Sequence, residues 1–206
     1  MSDSSSRTLA SLLDAFASSE PVPGGGSAAA LAAALGASLL MMVAGLPKTR
    51  TGSASERAAL DAARMRLQPV RVALTTLIDR DSDAYSAVVA AFKRPKGTDA
   101  EQASRRDAIQ EAMRGATDTP LDTMRACQQA LAEAVVVAGA GVRSASSDAG
   151  VAIELLSAAL RGAALNVDTN IGSLTDRGMA ERMRQERQDL ERRGAADAAR
   201  ARAVLV

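Results

Sequence analysis

Asp81 sits where a charge does not belong. From Leu74 onward, a helical repeat of about 100° per residue places Leu74, Leu77, Ile78, Tyr85, Val88 and Phe92 on one stripe. Asp81 falls in the middle of that stripe, while Asp79 and Asp83 point the other way. An inward carboxylate is costly unless it is paired or neutralised. It is therefore either half of an ion pair between helices or a carboxylate lining a cleft. A later stretch repeats the pattern. Asp148, Val151, Ala152, Leu155, Ala159, Gly162, Asn166 and Asn170 share one stripe, opposite Glu154, Arg161 and Asp168. An acid in a first helical turn is favoured by the helix dipole, and a buried Asn usually satisfies a backbone group. Three polar side chains on one apolar face also describe a polar pocket between helices.

A third feature is Pro21-Val22-Pro23-Gly24-Gly25-Gly26-Ser27, followed by an uncharged, alanine-rich run over residues 28–46. The prolines and glycines make a loop, and Ser27 suits an N-cap. A loop delivering a helix N-terminus presents unpaired N–H groups and a positive dipole end, which suits a phosphate or a carboxylate. A well-capped core helix accounts for the same residues. The glycines lack the Lys-Ser/Thr of a P-loop and follow no strand pattern, so an NTPase is excluded. The chain contains no histidine, which removes His-based triads and His-ligated metal sites. The single cysteine, Cys127, lies on the flank of an apolar stripe and reads as a buried structural thiol.

The elements that must position these groups are helical. Of the 206 residues, 47% are hydrophobic but only 1% aromatic, so the core must be Ala, Leu, Val and Met. Alanine is the best helix former, and β-branched runs are scarce. The fold class is all-α: a single-domain helical bundle around a central, Ala-rich buried helix. The pattern predicts helices over 7–18, with Leu9, Leu12, Leu13 and Phe16 on one face, and over 28–46. A third covers 56–92 with a kink or break at Pro69. Further helices cover 99–116, 120–140 with Pro120 at its first turn, 148–171, and a charged outer helix from 175. A net charge of +1 gives no bulk case for nucleic acid or an anionic membrane. Residues 1–7 carry no apolar signal-peptide core. The run 28–46 is just long enough to cross a bilayer, but Gly36, Ser38 and Gly45 interrupt it and no basic cluster precedes it, so a buried helix is expected.

Four motifs, in order and spacing, resemble the cyclodeaminase/cyclohydrolase family over almost the whole chain. They are Pro23-Gly24-Gly25-Gly26-Ser27 and its Ala-rich helix; Asp81-Ser82-Asp83-Ala84-Tyr85 with Arg94-Pro95-Lys96-Gly97-Thr98; Ala116-Thr117-Asp118-Thr119-Pro120-Leu121; and Ser147-Asp148-Ala149-Gly150-Val151-Ala152 with Asn166 and Asn170. The chain departs from the family pattern at Val142, where an Asn often follows the Gly. It departs again at Gly45-Leu46-Pro47-Lys48-Thr49-Arg50, where an Asn-Leu-Thr is common. The length is similar to that of the stand-alone methenyltetrahydrofolate cyclohydrolases.

The resemblance implies hydrolysis of 5,10-methenyltetrahydrofolate to 10-formyltetrahydrofolate by a cytoplasmic homodimer, with a folate cleft near the dimer interface. No metal, nucleic acid or membrane is implied, and no cofactor beyond the tetrahydrofolate substrate. The alternatives are a formiminotetrahydrofolate cyclodeaminase releasing ammonia, a non-catalytic folate-binding dimer, and a purely structural helical protein. On this resemblance Asp148, Asp81 and Lys96 are the expected catalytic groups. Gly24, Gly25, Gly26, Ser27, Tyr85, Ser147, Asn166 and Asn170 are the expected substrate contacts, with a glutamyl carboxylate at the Gly24–Ser27 helix start.

Overall fold

The computed structural model describes residues 8–205, and the Ser-rich start at 1–7 lies outside them. Six α-helices and one 3-10 turn account for the described residues: α1 (Leu9–Ala17), α2 (Gly25–Gly45), α3 (Ala54–Phe92), α4 (Asp99–Ala140), the turn Arg143–Ala145, α5 (Ser146–Ile171) and α6 (Arg177–Ala203). The all-α expectation holds. Helix α2 has no charged residue and is the centre of the bundle, packed chiefly against α3 and α5. Ala30, Ala33, Ala37, Leu40 and Ala44 are fully buried along it. Side chains this small let neighbouring helices approach closely. A Cβ at Gly36 would lie 2.9 Å from Leu156 Cγ and 3.0 Å from the Ala152 carbonyl oxygen of α5.

α2 and α5 run antiparallel. Gly25 faces Asn166, Gly162 faces Ala29, and Gly36 faces Leu155 and Leu156. Paired residue numbers therefore sum to about 191, so Asn166 and Asn170 sit at the N-terminal end of α2 while Asp148 sits level with its C-terminal end. α3 and α4 form long flanking columns, and α6 closes the outside of α4 and α5. The charge on α6 is used in ion pairs. Some lie within the helix, such as Arg187–Glu191, and others cross to neighbours: Arg187–Asp168, Arg125–Glu186 and Arg202–Glu154. Cys127 is fully buried, and that burial pushes its thiol up to about 12.

The helix starts follow side-chain chemistry. Ser53 with Glu56, and Thr98 with Glu101, form reciprocal capping boxes at α3 and α4, and Asp176 caps α6. Helix ends at the opposite pole are closed by arginines from the α2–α3 loop and the first turn of α3. Arg57 donates to the Leu46 carbonyl at 2.7 Å and to the Ala44 carbonyl. Arg50 donates to the Ala138 carbonyl at 2.8 Å from its side chain and to the Ala140 carbonyl at 2.8 Å from its backbone. Cations at helix C-termini complement both the free carbonyls and the dipole.

Three sequence expectations change. The N-cap of α2 is Gly24, and Ser27 lies inside the first turn. In α1 only Leu12 is buried; Leu9 and Leu13 are largely exposed. The separate helices expected over 99–116 and 120–140 are one helix of 42 residues with Pro120 in its interior. Pro120 has no N–H, so the Ala116 carbonyl four residues earlier loses its intrahelical donor. Asn170 of α5 supplies the replacement, its Nδ2 donating to the Ala116 carbonyl at 2.7 Å. Thr117 and Thr119, flanking the interruption, donate back to the Met113 and Gly115 carbonyls.

Asn170→Ala leaves the Ala116 carbonyl without a partner and should cost about 1–3 kcal/mol in urea unfolding. In a Pro120→Ala background, where the residue-120 N–H returns, the same substitution should cost less than half as much. Equal costs in the two backgrounds would refute the pairing.

Candidate functional site

The groups singled out by pattern meet only in part. A cleft of about 330 Å³ opens where the N-terminus of α2 meets α3, α4 and the last turns of α5. Gly24, Gly25 and Gly26 form its floor, Asp81 and Tyr85 one wall, and Asn166 and Asn170 the other. The fourth side is Met113 and Ala116 of α4. The sequence reading missed that side because it broke α4 there; the signal was the Thr-Asp-Thr-Pro run, which marks an interrupted helix rather than a new one.

Asp81 makes no ion pair among the described residues. Its Oδ2 accepts from the Ser27 backbone N–H at 2.8 Å and lies 3.0 Å from the Ser27 hydroxyl. That hydroxyl also donates to the Ile78 carbonyl at 2.8 Å. The carboxylate thus takes the place an N-cap side chain would hold, satisfying one of the amides that helix geometry leaves free at the start of α2. The anion expected at this helix start is Asp81 itself. Its other oxygen, Oδ1, has no hydrogen-bond partner among the described residues. A Cβ on Gly26 would lie 2.1 Å from Oδ1 and 2.6 Å from Cγ, so only glycine lets the carboxylate lie across the helix start. Burial raises the pKa of Asp81 above the ordinary carboxylate value, against the opposing pull of the two Ser27 bonds. Such a group keeps its proton to higher pH than a surface aspartate does.

The two asparagines have committed donors. Asn166 Nδ2 donates to the Gly162 carbonyl at 2.9 Å, and Asn170 Nδ2 donates to Ala116. Each keeps its second amide N–H and its carbonyl oxygen. Free acceptors in the cleft are therefore Asp81 Oδ1 and the oxygens of Asn166 and Asn170. Free donors are the Gly25 and Gly26 amides, the Tyr85 hydroxyl and one N–H of each asparagine. Among the described residues no lysine or arginine lines the cleft. With one carboxylate and no facing cation, this arrangement suits a cationic ring that carries both donors and acceptors.

Ser27 is fully buried behind the cleft and acts through Asp81. Lys96 lies on the exposed α3–α4 loop, outside the cleft lining. Ser147 and Asp148 lie in the first turn of α5, at the far pole of the molecule. Eighteen residues of α5 separate Asp148 from Asn166, about 27 Å of helix at 1.5 Å per residue. The two share a face but not a place. Asp148 has no hydrogen bond or ion pair among the described residues, and its side of α5 is half-buried.

The fold is an all-α bundle with one desolvated acid over a glycine-floored cleft. The chain belongs to the formiminotransferase-cyclodeaminase family, whose model matches residues 8–189. It is 42% identical over 183 residues to a methenyltetrahydrofolate cyclohydrolase of Methylorubrum extorquens, covering 89% of this chain and 88% of the relative. It is 36% identical over 166 residues to the formimidoyltransferase-cyclodeaminase of Rattus norvegicus, where 79% of this chain covers 30% of that longer protein. Its fold matches the crystal structure of a formiminotetrahydrofolate cyclodeaminase from Thermotoga maritima with a TM-score of 0.87. That match covers 98% of this chain and 96% of the other at 23% identity.

Because the folded pKa of Asp81 is raised, folding favours its protonated form. That stabilisation is complete at low pH and is lost as pH rises through the raised value. Asp81→Asn keeps the acceptor and removes the charge. It should raise Tm at pH 7, with the gain shrinking to nothing as pH falls below the ordinary carboxylate range. Tm measured from pH 3 to 8 checks this; a gain that does not vary with pH contradicts a desolvated Asp81.

Proposed function

We propose that this protein hydrolyses 5,10-methenyltetrahydrofolate to 10-formyltetrahydrofolate, as a cytoplasmic homodimer needing no cofactor beyond the folate itself. The observation that carries the reading is the unpartnered oxygen of Asp81 in a cleft that no described lysine or arginine lines. The cyclohydrolase relative, matched over nearly its full length, supports the choice of reaction. The substrate carries a cationic amidinium joining N5 and N10. Asp81 Oδ1 faces that cation and accepts a proton from the attacking water as its oxygen bonds to the bridging carbon. The neutral carbinolamine then collapses. The C–N5 bond breaks, N5 takes a proton from Asp81, and the hydroxyl proton leaves to solvent as the formyl C=O forms on N10. One proton is released overall.

The remaining residues bind and orient. The oxygens of Asn166 and Asn170 accept from the N–H groups of the pterin edge, and Tyr85 flanks the ring. Gly24, Gly25 and Gly26 keep the floor low enough for the ring to approach Asp81. At about 330 Å³ the cleft seats the reacting rings and leaves the tail outside. The Asp81, Ala84, Tyr85, Val88 stripe leads along α3 towards its C-terminus at Phe92, so Lys96 on the following loop meets the glutamyl carboxylates rather than the reacting carbon.

Loss of methenyltetrahydrofolate absorbance should show turnover by the purified protein. Asp81→Asn and Gly26→Ala should each lower kcat by about 10²–10⁴-fold, the span of a lost general acid–base group. Gly26→Ala acts by displacing the carboxylate. Full rates in both variants would end the assignment. Ammonia release from 5-formiminotetrahydrofolate, with no methenyl hydrolysis, would instead identify a cyclodeaminase.

A further inference from the structure

Two acceptors compete for one hydrogen behind the cleft. Ser27 Oγ lies 2.8 Å from the Ile78 carbonyl oxygen and 3.0 Å from Asp81 Oδ2. A serine hydroxyl has one proton to donate, so it serves one of them at a time. The Ser82 hydroxyl, 3.3 Å away, is a further neighbour of Ser27 Oγ. Ser27 is completely buried, so solvent does not reach it to replace either acceptor.

The Ile78 carbonyl does not depend on this bond. It lies inside α3, four residues before Ser82, whose backbone N–H closes on it in the helical pattern. Asp81 does depend on it. A carboxylate taken out of water needs donors if it is to stay charged. Oδ2 has two within reach, the Ser27 amide at 2.8 Å and the Ser27 hydroxyl. The amide is fixed in the first turn of α2, whereas the hydroxyl turns about a single bond. No described charge faces Asp81 across the cleft. α2 carries none, the α1–α2 loop contributes Pro21, α4 contributes Met113 and Ala116, and α5 contributes Asn166 and Asn170. On α3 itself Tyr85 is the other titratable group of the lining, and Asp79, Arg80 and Asp83 lie outside it.

We propose that the Ser27 hydroxyl is a positioning group that follows the protonation state of Asp81: it donates to Oδ2 when the carboxylate is ionised and turns to the Ile78 carbonyl when Asp81 is protonated. The Ser27 amide stays on Oδ2 in both states. A protonated oxygen is a poorer acceptor than a carbonyl-type one, so the amide keeps the proton off Oδ2 and on Oδ1, in the cleft. The inference rests on the hydrolase reading for its consequence and not for its geometry. In that reaction Asp81 takes a proton from water and returns it to N5 in each turnover, so it must start ionised. Burial opposes the ionised form, and the hydroxyl supports it only while the charge is present. No proton passes through Ser27; its own hydrogen changes acceptor and stays on Oγ.

The pH dependence of methenyltetrahydrofolate hydrolysis tests this. Ser27→Ala keeps the amide and removes the hydroxyl, and alanine suits a helix that already reads Gly26, Ala28 and Ala29 around it. Losing a donor to the charged form raises the pKa of Asp81. The acid limb of kcat/KM should therefore move up by roughly one pH unit, about the worth of one hydrogen bond to a charged group. The loss of rate should be greatest at low pH and shrink as pH rises. Ser82→Ala, which touches Ser27 Oγ but not Asp81, should move the limb by less. Independently of turnover, carbon NMR of protein labelled at the aspartate carboxyls should show Asp81 titrating at higher pH in Ser27→Ala than in the wild type; the signal missing from Asp81→Asn identifies it. A rate lowered equally at every pH, an unmoved Asp81 titration, or a larger shift in Ser82→Ala than in Ser27→Ala overturns the inference. If the wild-type protein shows no hydrolysis, the reaction assignment fails and the carboxyl titration alone decides the role of Ser27.

Discussion

The bond between Asp81 and the start of α2 fixes the candidate site. One carboxylate oxygen satisfies the Ser27 amide, and this anchors the N-terminus of the least polar helix in the molecule to the middle of α3. The other oxygen is left free in the cleft. Gly26 is the steric condition for both, since any side chain there would occupy the volume of the carboxyl group. A helix start, an inward acid and a glycine are thus one device. Cap, desolvated acid and cleft wall follow from the same contact.

The opposite wall depends on an interruption. Pro120 removes a donor from the longest helix, and the vacated carbonyl of Ala116 is taken up by Asn170 from α5. That bond ties α4 to α5 beside the cleft and fixes the orientation of the Asn170 amide, one N–H of which it uses. Asn166 is held in the same sense by its own helix. The cleft acquires its wall from bonds made to protein carbonyls, which leave each asparagine one N–H and its oxygen for a ligand.

Much of this was legible in the sequence. The helical class followed from alanine content and the lack of aromatics, and Asp81 stood out because one charge interrupted a stripe of six apolar residues. Asn166 and Asn170 were placed on the correct face by the same arithmetic. Periodicity gives angle and not height, which is why Asp148 shared a stripe with them yet lies at the other pole. Ser27 suited an N-cap by type, but its hydroxyl and amide serve a residue 54 positions away, which no local pattern reports. Pro120 followed a Thr and looked like a helix start; the Asn that compensates for it comes from another helix, so tertiary contact overrode a local rule.

The antiparallel seating of α2 against α5 also has a consequence in time. α2 ends at Gly45 and α5 begins at Ser146, so the helix with no polar face leaves the ribosome about 100 residues before its main partner. At roughly 5–20 residues per second, that is on the order of 5–20 s of synthesis. During that interval only α1, α3 and α4 become available to cover it. The sequence that makes the best core helix in the finished bundle is the one most in need of shelter while the chain is being made.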